Sequence, residues 1–378
     1  GAASFLPQGV SVSGRFNRVE GFNAGLGYQK GFGDVGLSAS AYSSYSFHSG
    51  FLNYGADVRQ RLPFSFERPS IYLAGSYDNQ ILNSYSRSQY NRYMNSFQAV
   101  LGGVDYFDYY KQEAYSVGLE IRRVLSITDI SIFFKSDRDQ SLLMPEDAVY
   151  NYSLFGWHDK RPLNPPVFDG QISSLQMNVD LNRQSSTFGL SGSRQLRFSA
   201  ERSSSWLGSD ATFTKLGIEA NWNMETFFGR RVFANTLDLQ LTAGTLFGDE
   251  VPQRLGVVDG SLSGFTPFGT LKTRRNRPYA GSRYWSVFAE HNFRTVPFEI
   301  LGLRALSDRG WGVILFGGAG YAGSDTNSGI NYTVLETDNI HTEAGISLNS
   351  IFGILRIDFA KRLDAPGSYF GISVPRYF

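Results

Sequence analysis

The chain has 378 residues, of which 15% are aromatic and only 18% are charged, against roughly 25% charged in a typical soluble protein. Its 35 basic and 34 acidic residues give a net charge of +1, so no nucleic-acid surface is indicated and no nucleic acid is expected as a partner. The absence of cysteine excludes disulfides, thiolate zinc sites and cysteine nucleophiles, and the longest weakly polar stretch, 311–323, is too short for a membrane-spanning helix.

Apolar and polar residues alternate with a period of two along most of the chain, in pieces of about ten residues. Residues 1–8 carry no basic, apolar leader, and we expect them to be a lead-in from a segment outside this chain. In the first clear piece, Phe22, Leu26 and Tyr28 share one face, opposite Asn23 and Gln29. The pattern predicts strands near 8–19, 22–30, 35–43, 51–62, 70–78, 113–123, 128–136, 173–183, 194–202, 211–223, 231–244, 284–293, 312–321, 342–349, 353–362 and 369–378.

The length of these strands favours a membrane protein over a soluble β-sandwich. Soluble strands commonly have five or six residues, whereas a tilted strand needs about nine to eleven to cross a bilayer. Every backbone group must be paired in lipid, so such strands must close into a barrel. We therefore predict an all-β fold: a single transmembrane antiparallel β-barrel of about 16 strands over 1–378, with apolar side chains outward and polar ones in the lumen.

Loop lengths provide an independent indication, because bacterial outer-membrane barrels have long extracellular loops and short periplasmic turns. The long connections here all follow odd-numbered strands: 79–112, 137–172, 245–283 and 322–341. The connection 294–311 is an exception, since it is a fairly long inner turn. The loop 245–283 is the sixth surface loop of such a barrel.

Charged residues of both signs fall on the polar faces of the predicted strands. Glu120, Arg122, Glu290, Arg356 and Asp358 are the expected lumen charges. They would form either a charged constriction or an ion-pair lattice that holds the barrel's shape, and the mixture of signs favours the lattice.

The last strand ends the chain with alternating apolar residues, Phe370, Ile372, Val374 and the terminal Phe378. This pattern resembles the C-terminal insertion signal of outer-membrane proteins, although Arg376 stands where an apolar residue is usual. A soluble sandwich strand ending by chance in Phe is the alternative.

The segment RLGVVDGSLSGFTPFG, followed by GSRYWSVFAEHNF, resembles the sixth loop and next strand of the bacterial surface antigen superfamily, which includes BamA-like, TamA-like, two-partner-secretion and patatin-linked barrels. The resemblance puts the loop tip at Ser263, Gly264 and Phe265, with Glu290 on the following strand. The opening RFNRVEGFNAGLGYQ is similar to barrels of a Bacteroidota subgroup in which a carboxypeptidase-regulatory-like domain precedes the barrel.

The resemblance implies that the sixth loop folds into the lumen as a plug, but two family residues are replaced. The family's tip arginine pairs with an aspartate, and the matching positions here are Ser263 and Gly318. Losing both the arginine and the aspartate avoids the cost of a lone buried charge. The two replacements predict that this charge-based lock between loop and wall is gone. Arg274, Arg275 or Arg277 would replace it by reaching Glu290 or Asp358.

No catalytic or metal-binding constellation stands out. His48, His158, His291 and His341 lack metal-ligand spacing and are expected to be exposed loop or interface residues. Adjacent residues of a strand face opposite ways, so Glu290 and His291 are not expected to act together. We expect no enzyme activity, no cofactor and no metal.

The resemblance implies a function in protein translocation or insertion at the bacterial outer membrane, through a weak seam between first and last strands. Pro375 removes a donor from the closing strand, which fits such a seam. The implied partners are outer-membrane lipid, a client polypeptide and accessory outer-membrane or periplasmic proteins. Two alternatives remain: a passive porin-like channel for small solutes, and an anchor that displays a domain outside this chain.

Overall fold

The computed structural model describes residues 7–63, 69–85, 88–124, 127–143, 149–150, 152–154, 161–182, 194–226, 235–262, 266–324, 335–350 and 355–373. Within them, nearly all regular structure is β.

One antiparallel sheet of sixteen strands forms the body of the molecule. Its strands are β1 Val10–Asn17, β2 Gly21–Phe32, β3 Leu37–Ser46, β4 Phe51–Arg61, β5 Ser70–Asn83, β6 Tyr109–Val124, β7 Thr128–Ser141, β8 Gly170–Leu181, β9 Arg194–Ser203, β10 Phe213–Thr226, β11 Asn235–Gly248, β16 Arg283–Arg294, β17 Gly312–Gly323, β18 His341–Ser350, β19 Leu355–Arg362 and β20 Ser368–Ser373. The predicted all-β barrel of sixteen strands is confirmed. The long strands reach the length that a tilted membrane crossing requires.

Every strand pairs with its neighbour in the chain, except that β11 pairs with β16 across a long loop. That loop contains the short strands β12 Gly256–Val258, β13 Gly260–Ser261, β14 Leu271–Arg275 and β15 Tyr279–Gly281. In the described part of the chain, β1 and β20 are each paired on one side only. Among the described residues, the sheet therefore begins at β1 and ends at β20.

The two faces of the sheet differ in polarity. Large apolar side chains are exposed on one face of almost every long strand, as at Leu26, Val58, Val117, Met177, Leu216, Val287, Leu315 and Phe359. The opposite face buries polar and charged side chains, as at Asn53, Gln112, Asp137, Asp180, Asp238, Glu290 and Asp358. A soluble sheet would bury its apolar face, so this sheet is inside-out, with a polar lumen.

The connections also differ between the two ends of the strands. The end that carries residues 84–108, 142–169, 249–282 and 324–340 is called here the long-loop end, and the other is the turn end. Helix α1 (Arg92–Val100) lies in the loop 84–108, and its N-cap is Asn91, whose side chain accepts a hydrogen bond from the Met94 amide. Helix α1 is not predicted from the sequence, because its nine residues are too few for a clear helical period.

The long turn 295–311 at the turn end contains the short helices α2 (Val296–Ile300) and α3 (Arg304–Ser307). They explain the exceptional length of that connection. No helix in the described residues is both long enough and apolar enough to span a membrane.

Candidate functional site: the lumen and its plug

The loop 249–282 lies in the lumen, and we call it the plug. Antiparallel pairing of β12 with β15 and parallel pairing of β13 with β14 give it a compact core. Turns at Gly269 and Asn276, whose φ values are +85° and +63°, reverse the chain within it. The described part of the plug is thus folded on itself rather than extended.

An apolar cluster holds one side of the plug against β16 and β17. Val258, Leu271 and Tyr279 of the plug bury their side chains with Tyr284 and Phe288 of β16.

Glycines in β17 make room for this contact. A Cβ on Gly320 would lie 2.7 Å from Cγ1 of Val258, and a Cβ on Gly318 would lie 2.7 Å from Cδ1 of Phe288. The absence of side chains at Gly318 and Gly320 therefore lets the plug approach the wall closely.

A buried ion pair fastens the same side of the plug. Lys272, which is 4% exposed, places Nζ 3.2 Å from Oδ2 of Asp358 on β19. The amides of Lys272 and Thr273 donate to the carboxylate of Glu343 on β18, at 2.7 and 2.8 Å. The plug is therefore fixed to the last strands of the sheet by charge and by main-chain hydrogen bonds.

The predicted lumen charges Glu290, Arg356 and Asp358 meet beneath this contact. Arg356 Nη1 lies 2.5 Å from Oε1 of Glu290, and Arg356 Nε lies 2.6 Å from Oδ1 of Asp358. Asp358 is thus shared between Arg356 of the wall and Lys272 of the plug.

The predicted replacement of the family lock by an arginine was wrong in its residue. Arg274 donates to the carbonyl oxygen of Arg277, and Arg275 donates to that of Ser368. A different ion pair holds the loop instead, between Lys272 and Asp358. A lysine is long enough to reach Asp358 from β14, which passes directly over β19 and β20.

The other side of the plug is anchored to the opposite wall by Arg254. Its guanidinium pairs with Asp137 on β7 and lies 3.4 Å from the carboxylate of Glu201 on β9. Burial disfavours the charge, but the carboxylates of Asp137, Glu201 and Asp139 outweigh it and raise the pKa of Arg254. The neighbouring Gln253 donates to Asp139 at 2.8 Å.

A second loop, 84–108, covers the lumen at the long-loop end, and we call it the lid. Arg18, in the turn between β1 and β2, is 1% exposed and donates to Asp108 at 2.6 Å and to the carbonyl oxygen of Phe107. The Arg18 amide donates to Asp105 at 2.7 Å. Arg18 therefore ties the lid to the first hairpin.

Asp259 joins the plug to the lid. Its carboxylate accepts hydrogen bonds from Ser88 Oγ, the Gln89 amide and the Tyr106 hydroxyl, at 2.9, 2.7 and 2.8 Å. Burial raises the pKa of Asp259 against the opposing effect of these donors. Lid, plug and first hairpin form one connected network.

Among the described residues, the lumen includes two polar cavities, one of them beside the plug. One, of about 430 Å³, is lined by residues that include Asn178, Glu201, Lys215 and Arg254. The other, of about 330 Å³, lies toward the turn end, and Asn178 lines it as well. The plug thus fills the lumen beside the last strands more fully than the lumen beside β7 to β9.

The remaining predicted residues fall in separate places. Glu120 pairs with Arg59 at 2.5 Å and with Arg122 at 3.2 Å, away from the plug contacts. Phe370 and Ile372 are exposed on the apolar face of β20. The loop tip Ser263, Gly264 and Phe265 and the terminal residues Val374 and Phe378 lie outside the described residues.

The prediction that the histidines are exposed was wrong for His341. It is fully buried in the lumen, where Nε2 lies 2.8 Å from Thr273 Oγ1 and Nδ1 lies 3.1 Å from the Tyr279 hydroxyl. The contacts of Arg18, Arg254 and Lys272 are not predicted from the sequence either. Alternation does not identify residues that act from loops. In the described part of the chain, no group of three or more candidate metal ligands is present.

No protein-family model matches the chain, and no curated protein matches its sequence. The solved structures that resemble it include CdiB from Acinetobacter baumannii and CdiB from Escherichia coli. The first shares 13% identity over 97% of this chain, with a TM-score of 0.43, and the second shares 11% over 98%, with a TM-score of 0.47. The alignments span 60% and 62% of those longer chains.

Proposed function

We propose that this chain is the barrel of an outer-membrane translocator of the BamA-like superfamily, which passes or inserts a client polypeptide and whose plug closes the lumen at rest. The observation that carries the proposal is the anchoring of the plug to opposite walls, by Lys272 at Asp358 and by Arg254 at Asp137. A passive pore has no need of a closure fixed at both sides.

The two edge strands support the client part of the proposal. Among the described strands, β20 pairs with β19 alone. A free strand edge presents backbone donors and acceptors to which an extended chain can add as a further strand. We propose that a client strand enters here.

Planar-bilayer recording of the full-length protein tests the closure. The wild type should show small, flickering conductance, because the plug and its ion pairs obstruct the lumen. Deletion of residues 262–280, which removes Lys272, should give a large and steady conductance. Unchanged conductance after the deletion would refute the assignment of this loop as the plug.

A disulfide lock tests whether the plug moves. Val258 of the plug lies against Gly320 of β17, and the chain has no cysteine of its own. The variant Val258→Cys/Gly320→Cys should lose its flicker when oxidised and regain it with reductant. Val258→Cys alone is the matched control, because a side chain added only at Gly320 would collide with Val258. Flicker that persists in the oxidised pair would show that plug movement does not cause it.

A passive channel for small solutes is the second candidate function. The two polar cavities that share Asn178 favour it, since together they suggest a path past the plug. A large, steady wild-type conductance that the 262–280 deletion does not change would support this function over translocation.

A further inference from the structure

The lid lies against the edge of β1 that faces away from β2. In an antiparallel pair, alternate residues direct both main-chain groups toward the neighbouring strand, and the residues between them direct theirs away. The Gln29 amide of β2 donates to the carbonyl oxygen of Gly9, just before β1, at 2.8 Å. The register of the pair therefore directs the main-chain groups of the even-numbered residues, among them Val12 and Phe16, away from β2.

Side chains of the lid accept hydrogen bonds from these amides at the long-loop end of β1. Helix α1 packs beside β1, and Ser96 Oγ accepts a hydrogen bond from the Phe16 amide at 3.0 Å. The Ser96 hydroxyl donates to the carbonyl oxygen of Arg92 at 2.7 Å, so its lone pairs are available to the strand. Two residues beyond Phe16, the Arg18 amide donates to Asp105. Lid side chains thus replace the acceptors that a neighbouring strand would supply.

Two tyrosines of the loop 142–169 enclose the same part of β1. The Tyr150 amide donates to the carbonyl oxygen of Arg18 at 3.0 Å. The rings of Tyr150 and Tyr152 lie 5.7 and 6.1 Å from the ring of Phe16, which is only 2% exposed. The long-loop end of β1 is therefore covered along its edge by α1 and beside it by aromatic side chains.

An added strand cannot pair with this part of β1 while α1 is in place. Neighbouring strands lie about 4.8 Å apart, whereas a helix with its side chains is about 10–12 Å across. Because Ser96 Oγ is in hydrogen-bond contact with the Phe16 amide, α1 occupies the space that the added strand would need. A strand that pairs at Val12 would have to stop before Phe16.

We propose that α1 is an internal competitor for the edge of β1: at rest it blocks the long-loop end, and an extended client segment pairs along the whole edge only after α1 has moved away. The client would be recognised through its main chain, as in other cases of strand addition. This inference rests on the proposed function, because it names the regulation of client entry at the seam.

Binding of a fluorescent peptide to the full-length protein in detergent micelles tests the competition. The probe has the sequence of residues 366–373, which includes β20, the strand at the other end of the sheet. Ser96→Ala should bind the peptide about fivefold more tightly than wild type, since one hydrogen bond is worth roughly 1 kcal/mol. Replacing residues 92–100 with Gly and Ser should tighten binding about tenfold or more, because every molecule then presents the edge.

Ser307→Ala is the matched control and should bind the peptide like wild type. Ser307 is also a helical serine that donates to a main-chain carbonyl oxygen, but it lies in α3 at the turn end. Val12→Pro, added to the variant with the replaced helix, removes an amide that points away from β2 and should abolish the gain in affinity. Heat-modifiable migration verifies that each variant is folded.

The outcomes separate this inference from the proposed function. Equal peptide affinity in wild type and in the variant with the replaced helix would overturn the competition and leave the translocator proposal standing. A gain that survives Val12→Pro would place the peptide elsewhere than on the edge of β1 and would also overturn it. If no variant binds the peptide, the client-accepting edge fails, and the proposed function fails with it.

Discussion

At the scale of single residues, the lumen is organised by a few buried charges that link the plug to the wall. Asp358 forms ion pairs with both Lys272 and Arg356, and Arg356 also pairs with Glu290. A buried charge that loses its partner is costly, whereas removing both members of a pair is far less so. The network therefore holds the plug in place because breaking any one pair is costly, even where the pair as a whole adds little stability.

We expect Lys272→Met to destabilise the protein by about 3 kcal/mol, because Asp358 then loses a buried partner. The double variant Lys272→Met/Asp358→Asn should cost less than the sum of its two single variants. Urea unfolding in lipid vesicles measures these values, and strictly additive losses would contradict the direct pairing.

At the scale of elements, the plug and lid are loops that behave as ordered parts of the fold. The lid is held by an apolar cluster of Tyr90, Tyr106, Phe107, Val19 and Leu262, in which plug and first hairpin also take part. Arg161 donates to the carbonyl oxygen of Ala99 near the C-terminus of α1 at 2.6 Å, where a cation also complements the helix dipole. The described parts of the plug and the lid keep a defined structure because they contact one another over the lumen.

We expect Arg18→Met to lower the free energy of opening the lid by about 3–5 kcal/mol, since Asp105 and Asp108 would be left without their buried cation. Amide hydrogen exchange in 92–100 should accelerate accordingly. Arg122→Met is the matched control, because the partly exposed Arg122–Glu120 pair should contribute at most about 1 kcal/mol. Equal exchange in both variants would argue against Arg18 as the fastening residue.

At the scale of the whole molecule, the decisive property is that apolar residues face outward around a polar interior. The same exposed side chains would be a liability on a soluble protein, where large apolar patches promote association. In a bilayer the same apolar side chains are solvated by lipid.

Two arginine substitutions distinguish the apolar outer face from the polar lumen. Val117→Arg, in the middle of the outer face of β6, should cost about 2–4 kcal/mol in vesicles, because lipid solvates the charge poorly. Asn178→Arg points into the polar cavities and should cost much less. If Val117→Arg were as mild as Asn178→Arg, the outer face would not be in lipid.

The sequence alone determined the strands, their number and which side of each strand faces the lumen. Alternation is a local property of an extended backbone, so β4, expected at 51–62, is found at Phe51–Arg61, and β16, expected at 284–293, is found at Arg283–Arg294. The predicted ends of β5 and β6 were less accurate, because both strands continue past the bilayer-length pattern as far as the lid.

Only the tertiary structure decided which side chains meet inside. Lys272 and Asp358 are 86 residues apart, and Arg18 and Asp105 are 87 apart, so their meeting depends on how the sheet curves and how two loops cross its interior. The same holds for His341, whose burial follows from the position of Thr273 and Tyr279 above it. A periodic pattern specifies the face of a residue, but its partner across a lumen is set by the path of the whole chain.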